Sequence, residues 1–71
     1  MIQVKSITLN PGTMEADVFL FADTKAEVAT TPLKQIKGFP EGYKIEFGSK
    51  VMTTSGELAF MRSNGTWNWG E

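Results

Sequence analysis

A small all-β domain of five or six short strands is the fold that the sequence predicts, as an antiparallel meander with a barrel-like or sandwich shape. Two observations predict this class: short strand-like runs recur along the 71 residues, and turn signals built on Gly separate them. We expect a single β domain over residues 1–71. Its parts are an N-terminal hairpin at residues 1–22, an irregular connection at residues 23–42 and a C-terminal meander at residues 43–69.

The C-terminal meander carries the clearest turn signals. Asn64-Gly65 is typical of a two-residue hairpin loop because both residue types tolerate positive φ, and Ser55-Gly56 is a weaker signal of the same kind. Two-residue loops at both places give one consistent register, with Arg62 opposite Trp67. In that register one face carries Val51, Leu58, Phe60, Trp67 and Trp69, and the other carries Met52, Ala59, Met61 and Asn68. We predict that the first of these faces is the core, with Trp67 and Trp69 either in the core or at a subunit interface.

The middle strand of the meander, residues 57–62, is apolar on both sides and therefore needs cover on both sides. A chain this short buries only about 60% of its unfolded surface, and this one has no cysteine for a disulfide. Association between copies is the stabilising device that remains, so we expect a homo-oligomer. The candidate interface residues are Met52, Ala59, Met61, Arg62, Trp67 and Trp69.

The N-terminal third predicts an antiparallel hairpin. Residues 2–9 form the first strand, and a change of apolar phase near Ser6 indicates either a bulge or a strand buried on both faces. Residues 10–13 have turn chemistry, since Pro presets φ and Gly accepts the reversed conformation. Residues 16–22 are the most hydrophobic strand, and we expect Phe19 and Phe21 to lie in the core.

The connection is harder to assign from its residues. Residues 26–30 fit one helical turn or a short edge strand, and we favour the extended form. A helix of under two turns fits residues 31–37, because Thr31 can cap it, Pro32 suits its first position and Gly38 follows its end, although a structured loop is equally compatible. Residues 43–47 then alternate as a half-buried strand. Its predicted inner residues are Tyr43, Ile45 and Phe47, and its outer residues are Lys44 and Glu46.

The composition argues against catalysis and against nucleic acid. Without His or Cys there is no thiol nucleophile and no thiolate zinc site, and general base chemistry would need a carboxylate or lysine of perturbed pKa. We therefore predict a protein that is not an enzyme, with no catalytic, cofactor-binding or metal residues. The formal net charge is −1 and the seven basic residues are dispersed, so we expect no nucleic-acid partner. No signal peptide or membrane-spanning run is recognisable, which predicts a soluble protein without a membrane partner.

Several segments carry a pattern seen in a known class of proteins. They are residues 19–28, the Pro40-Glu41-Gly42 turn, Gly48-Ser49, Ser55-Gly56-Glu57 and the closing Asn64-Gly65-Thr66-Trp67. Together they resemble the small proteins encoded among the virion structural genes of tailed bacteriophages and prophages. The resemblance covers the chain from Phe19 onward and assigns no binding-site residue.

The resemblance implies a non-enzymatic role in the phage particle, as a head fibre or capsid decoration component or as a small tail-associated protein. It implies an oligomer that contacts a capsid or tail protein, within a virion assembled in the host cytoplasm. The alternative hypothesis is a small monomeric β-barrel that binds a ligand or single-stranded nucleic acid through exposed aromatic side chains.

Overall fold

The computed structural model describes residues 1–63 and 65–70. Its strands are β1 (Gln3–Asn10), β2 (Glu15–Ala22), β3 (Lys44–Ile45), β4 (Lys50–Thr53), β5 (Leu58–Met61) and β6 (Trp67–Trp69), and its helical elements are α1 (Lys25–Thr30) and a 3-10 turn at Leu33–Gln35. Within the described residues the six strands form one sheet in the order β1-β2-β4-β5-β6, with β3 also paired to β2. The predicted β-rich fold class is confirmed, and the short helical turn expected near residues 31–37 is the 3-10 turn.

The N-terminal hairpin forms as the sequence predicts. β1 pairs antiparallel with β2, and the register shifts between Val4 and Ser6, which confirms a bulge as the reason for the change of apolar phase. The amide of Thr13 donates to the Asn10 carbonyl at 3.2 Å in the connecting turn. The turn ends at Met14, a non-glycine residue with a φ of 56°.

The sheet is mixed, because two of its strand pairs are parallel. β2 pairs in parallel with β3 at Glu15 and Ala16, and with β4 from Phe19 to Ala22. A parallel pair needs a crossover long enough to bring the chain back to the same end, and such crossovers usually contain a helix. Residues 23–43 supply that crossover. In the predicted antiparallel meander, residues 23–42 were only an irregular connection.

The favoured extended conformation for residues 26–30 is wrong, since Lys25–Thr30 is the helix α1. The Thr24 hydroxyl accepts a hydrogen bond from the Glu27 amide at 3.1 Å, and the Glu27 carboxylate accepts one from the Asp23 amide at 3.0 Å. A Thr followed three residues later by Glu is the signature of a helix N-terminus, and this local signal was available in the sequence.

The predicted strand at residues 43–47 is paired only at Lys44–Ile45. The chain bends at Phe47 and Gly48, and the fully buried hydroxyl of Ser49 then takes the place of a backbone acceptor beside β2. That hydroxyl accepts from the Val18 amide at 3.1 Å and donates to the Ala16 carbonyl at 3.4 Å. The bend leaves Phe47 69% exposed, so its assignment to the buried side is wrong.

Both hairpin registers predicted for the meander are wrong by one residue. Between β4 and β5 the structure pairs Lys50 with Phe60, Val51 with Ala59 and Met52 with Leu58. Between β5 and β6 it pairs Met61 with Trp67, Phe60 with Asn68 and Ala59 with Trp69. The amide of Gly56 donates to the Thr53 carbonyl and that of Gly65 to the Arg62 carbonyl, both at 3.0 Å. Each loop therefore has three residues, with Gly at positive φ in the third position. Asn64 itself lies outside the described residues.

The register decides which face of the sheet is buried. Side chains from Leu20, Val51 and Ala59 pack on one face beneath Val28 of α1 and Ile36. Trp67 and Trp69 are half-buried against this cluster. The opposite face, which we call the open face, carries Phe19, Phe21, Met52, Leu58 and Phe60. The predicted core positions of Phe19, Phe21, Leu58 and Phe60 are therefore wrong, because these side chains lie on the open face.

Candidate functional site

The open face is the first of two surfaces that could bind a partner. Cross-strand pairing aligns Phe19 with Lys50 and Phe60 in one row, and Phe21 with Met52 and Leu58 in the next. Phe60 is 41% exposed, and the other four apolar side chains of the face are partly exposed. An apolar patch of this kind on one side of a small sheet is typical of a protein contact surface.

Charged groups border the open face at opposite ends of β2. Lys5 Nζ lies 5.8 Å from the centre of the Phe21 ring, within the range of a cation–π contact. Asp17 precedes Phe19 on the same side of the strand, and its Oδ1 accepts from the Ser49 hydroxyl at 3.4 Å. Lys5 therefore stands at one end of the face and Asp17 at the other.

The structure separates the six predicted interface residues. Met52 lies on the open face. Ala59 and Met61 are 0% and 5% exposed, so these two side chains are buried by the chain itself and leave the candidate interface. Trp67 and Trp69 lie on the same side as the core, where they are half-buried. Arg62 is exposed, and its amide bonds to Thr66, so Trp67 does not oppose it as predicted.

The second surface is a groove beside β3, which we call the notch. β5 ends at Met61 and the chain turns away at Arg62, so in the described part of the sheet no strand pairs with β3 on the side away from β2. The space holds about 600 Å³. Its lining residues are Glu15, Leu33, Lys44, Ile45, Phe47, Met61, Arg62, Ser63, Gly65 and Trp67.

The notch combines aromatic walls with charged groups. Phe47 and Trp67 are the two aromatic residues of its lining. Lys44 and Arg62 are both exposed, and neither has a carboxylate within ion-pair distance among the described residues. Glu15 is the acidic group in the lining, so these three formal charges sum to +1.

A polar cluster holds α1 against the meander, away from the notch. Lys25 Nζ lies 3.3 Å from a Glu57 carboxylate oxygen and 5.3 Å from the centre of a Trp69 ring. The hydroxyls of Thr53 and Ser55 each donate to the Glu57 carboxylate at 3.1 Å. Partial desolvation raises the pKa of Glu57, but the hydrogen bonds from Thr53, Lys25 and Ser55 outweigh it, so the pKa is lowered from its ordinary value.

Residues 1–63 and 65–70 form neither a metal-binding cluster nor a membrane-spanning helix. No group of three or more His, Cys, Asp or Glu side chains there is arranged to hold a metal ion. No helix in the same part of the chain has both the length and the apolar character needed to cross a membrane.

Comparison with known proteins gives no match: no protein-family model, no curated protein and no solved structure is similar to this chain at a significant level.

The sequence reasoning missed Phe19, Phe21 and Phe60 as surface residues and Phe47 and Lys44 as residues of one groove. A three-residue reading of the Thr54-Ser55-Gly56 loop would have placed Phe60 on the outer face. No local pattern in the sequence predicts the notch, because its lining residues come from separate segments that the crossover brings together.

Proposed function

We propose that this chain is a non-enzymatic structural protein of a tailed-phage particle, as a head fibre, decoration or small tail-associated component. It acts through contacts between copies and with a capsid or tail protein, and the open face is the contact surface. The observation that carries the proposal is the cluster of five partly exposed apolar side chains on that face. The phage setting rests on the sequence resemblance.

A second copy is the partner that the charges of the open face suit best. A two-fold axis near Phe19, parallel to the sheet and perpendicular to β2, brings the open faces of two copies together with their β2 strands in opposite directions. Asp17 of each copy then meets the Lys5 end of the other, which pairs opposite charges around an apolar centre. Lys50 lies between Phe19 and Phe60, and its long side chain can carry the ammonium group out to the rim.

Light scattering behind size exclusion, across a tenfold dilution, tests the association. We expect a dimer or a larger closed assembly that Phe60→Asp converts to monomer, because the substitution places a charge in the apolar contact. Phe47→Asp is the matched control, since it adds the same charge at another exposed Phe outside the open face, and it leaves the mass unchanged. A wild-type monomer at the highest concentration contradicts self-association through this face.

The phage setting has a separate test. We expect peptides of this chain in a mass-spectrometric analysis of phage particles purified from a host that carries its gene. Particles that contain the known structural proteins but none of these peptides contradict a virion location, whatever the oligomeric state.

Binding of single-stranded nucleic acid remains the alternative, and the exposed rings of Phe47 and Phe60 are the observation in its favour. Titration with oligonucleotides at low salt, followed by tryptophan fluorescence, separates the two functions. A saturable change that weakens as salt rises supports the alternative, because release of counterions drives such binding.

A further inference from the structure

We propose that the notch beside β3 binds a small planar aromatic molecule that carries one negative charge, such as an aromatic carboxylate. The five apolar side chains of the open face, on which the proposed contact between copies depends, are not among the residues that line the notch. Its volume of about 600 Å³ lies within the range of small-molecule sites.

The apolar part of the ligand is defined by the two aromatic residues of the lining. Phe47 is 69% exposed, yet its backbone lies in an anchored bend. The Gly48 amide, next in the chain, donates to the Met61 carbonyl at 3.0 Å, and Ser49 is fixed to β2 by its hydroxyl. A flat ring entering the notch meets the half-buried Trp67 of β6 and a Phe47 whose backbone is already fixed, so little backbone freedom is lost on binding.

The charge of the ligand follows from the groups around the notch. Lys44 and Arg62 offer cationic donors from different segments of the lining, and Glu15 offsets one of them. A single carboxylate therefore balances the remaining charge, whereas a second one would meet Glu15. Arg62 can hold a carboxylate with two parallel hydrogen bonds, which favours this anion over a neutral group of the same shape.

The backbone of β3 adds a further donor. The amides of Lys44 and Glu46 donate to β2, at 2.9 Å to Met14 and at 2.8 Å to Ala16. Because successive residues of a strand alternate in direction, the Ile45 amide points away from β2 and toward the notch. That amide is therefore a further hydrogen-bond donor for a carboxylate bound in the notch.

Titration of the ¹⁵N-labelled protein with 1-naphthaleneacetate, followed by amide chemical shifts, tests the site. The neutral 1-naphthaleneacetamide is the matched control ligand. We expect saturable shifts at residues 44–47, at residues 61–63 and at the Trp67 indole. The amide should bind about tenfold more weakly, a difference of about 1.4 kcal/mol.

Variants separate the parts of the proposal. Arg62→Gln should weaken the acetate about tenfold and leave the amide unchanged, while Phe47→Ser should weaken both ligands. Phe60→Asp, on the open face, should change neither affinity, even where it alters the mass of the assembly. Equal affinity for acetate and amide, shifts centred on Phe19 and Phe60, or no saturable shift up to millimolar ligand would each overturn the proposal.

Discussion

Glu57 shows how a single side chain links the meander to the crossover. It stands just before β5 and accepts hydrogen bonds from the turn residues Thr53 and Ser55. Its other oxygen pairs with Lys25, whose ammonium group also lies over Trp69. Both charged side chains are nearly half exposed, so solvent screens the ion pair, and its contribution to the free energy of unfolding is small. The hydrogen bonds nevertheless favour the charged carboxylate in the folded state.

The lowered pKa of Glu57 predicts a pH-dependent part of the stability. A carboxyl group with a lower pKa in the folded than in the unfolded state stabilises the fold above its unfolded pKa, and that contribution disappears as the pH falls through the folded pKa. Wild type should therefore be more stable than Glu57→Gln at pH 7, by a margin that shrinks as the pH drops below 4.5. Urea unfolding at a series of pH values measures the margin.

Glu41→Gln is the control for this series, because Glu41 is exposed in the turn before β3. We expect the difference in unfolding free energy between wild type and Glu41→Gln to stay the same as the pH falls. A difference between wild type and Glu57→Gln that stays constant from pH 7 to pH 3 would show that the carboxylate charge is not what stabilises the cluster.

The two hairpins of the meander depend on the same kind of turn. In each, the third loop residue is a Gly whose amide donates to the carbonyl three residues earlier. Gly56 and Gly65 have φ values of 89° and 87°, in the left-handed region that residues with a Cβ avoid. These loops set the registers, and so they decide that Ala59 and Met61 are buried while Phe60 is exposed.

Gly56→Ala should therefore destabilise the protein by about 1–2 kcal/mol. A Cβ at this position would meet no atom within 4 Å, so the expected loss comes from the backbone conformation alone. Gly70→Ala is the matched control, since its added Cβ also meets nothing within 4 Å and its φ is outside the left-handed region. Chemical denaturation measures the free energy of unfolding of both variants. Equal losses for the two variants would show that φ at Gly56 is not the cause.

At the scale of the whole molecule, the two faces of one sheet have different surroundings. α1 and the segment around Ile36 cover one face and complete the hydrophobic core. The other face keeps its apolar side chains partly exposed, and the notch interrupts the sheet beside β3. A chain of this size has few residues for a second covering layer, and the proposed contact between copies would bury the side chains of the open face.

Neighbouring residues of β5 should respond oppositely to the same substitution. Met61→Asp places an unpaired charge in the core and should cost about 3 kcal/mol or more, with loss of the cooperative unfolding transition. Phe60→Asp should keep the native circular dichroism and a cooperative transition, because this side chain lies on the open face. Native-like behaviour of Met61→Asp would instead support the register with two-residue loops.

Local chemistry in the sequence was sufficient to predict the strands, the N-terminal hairpin with its bulge and the places where the chain turns. Those features depend on neighbouring residues, such as the alternation along β1 and the Gly of each turn. The helix α1 was also locally signalled, by the Thr24 and Glu27 pair, but its short length left that signal in competition with an edge strand.

Only the tertiary structure decided the strand pairing, the buried face and the notch. One extra loop residue reverses every side chain of a following strand, so a small difference in turn type moved Phe60 out of the core and Met61 into it. The parallel pairing of β2 with β4 depends on where the crossover returns the chain, which contacts distant in sequence determine. The notch follows from that pairing, because β3 occupies one end of β2 and β5 ends before reaching it.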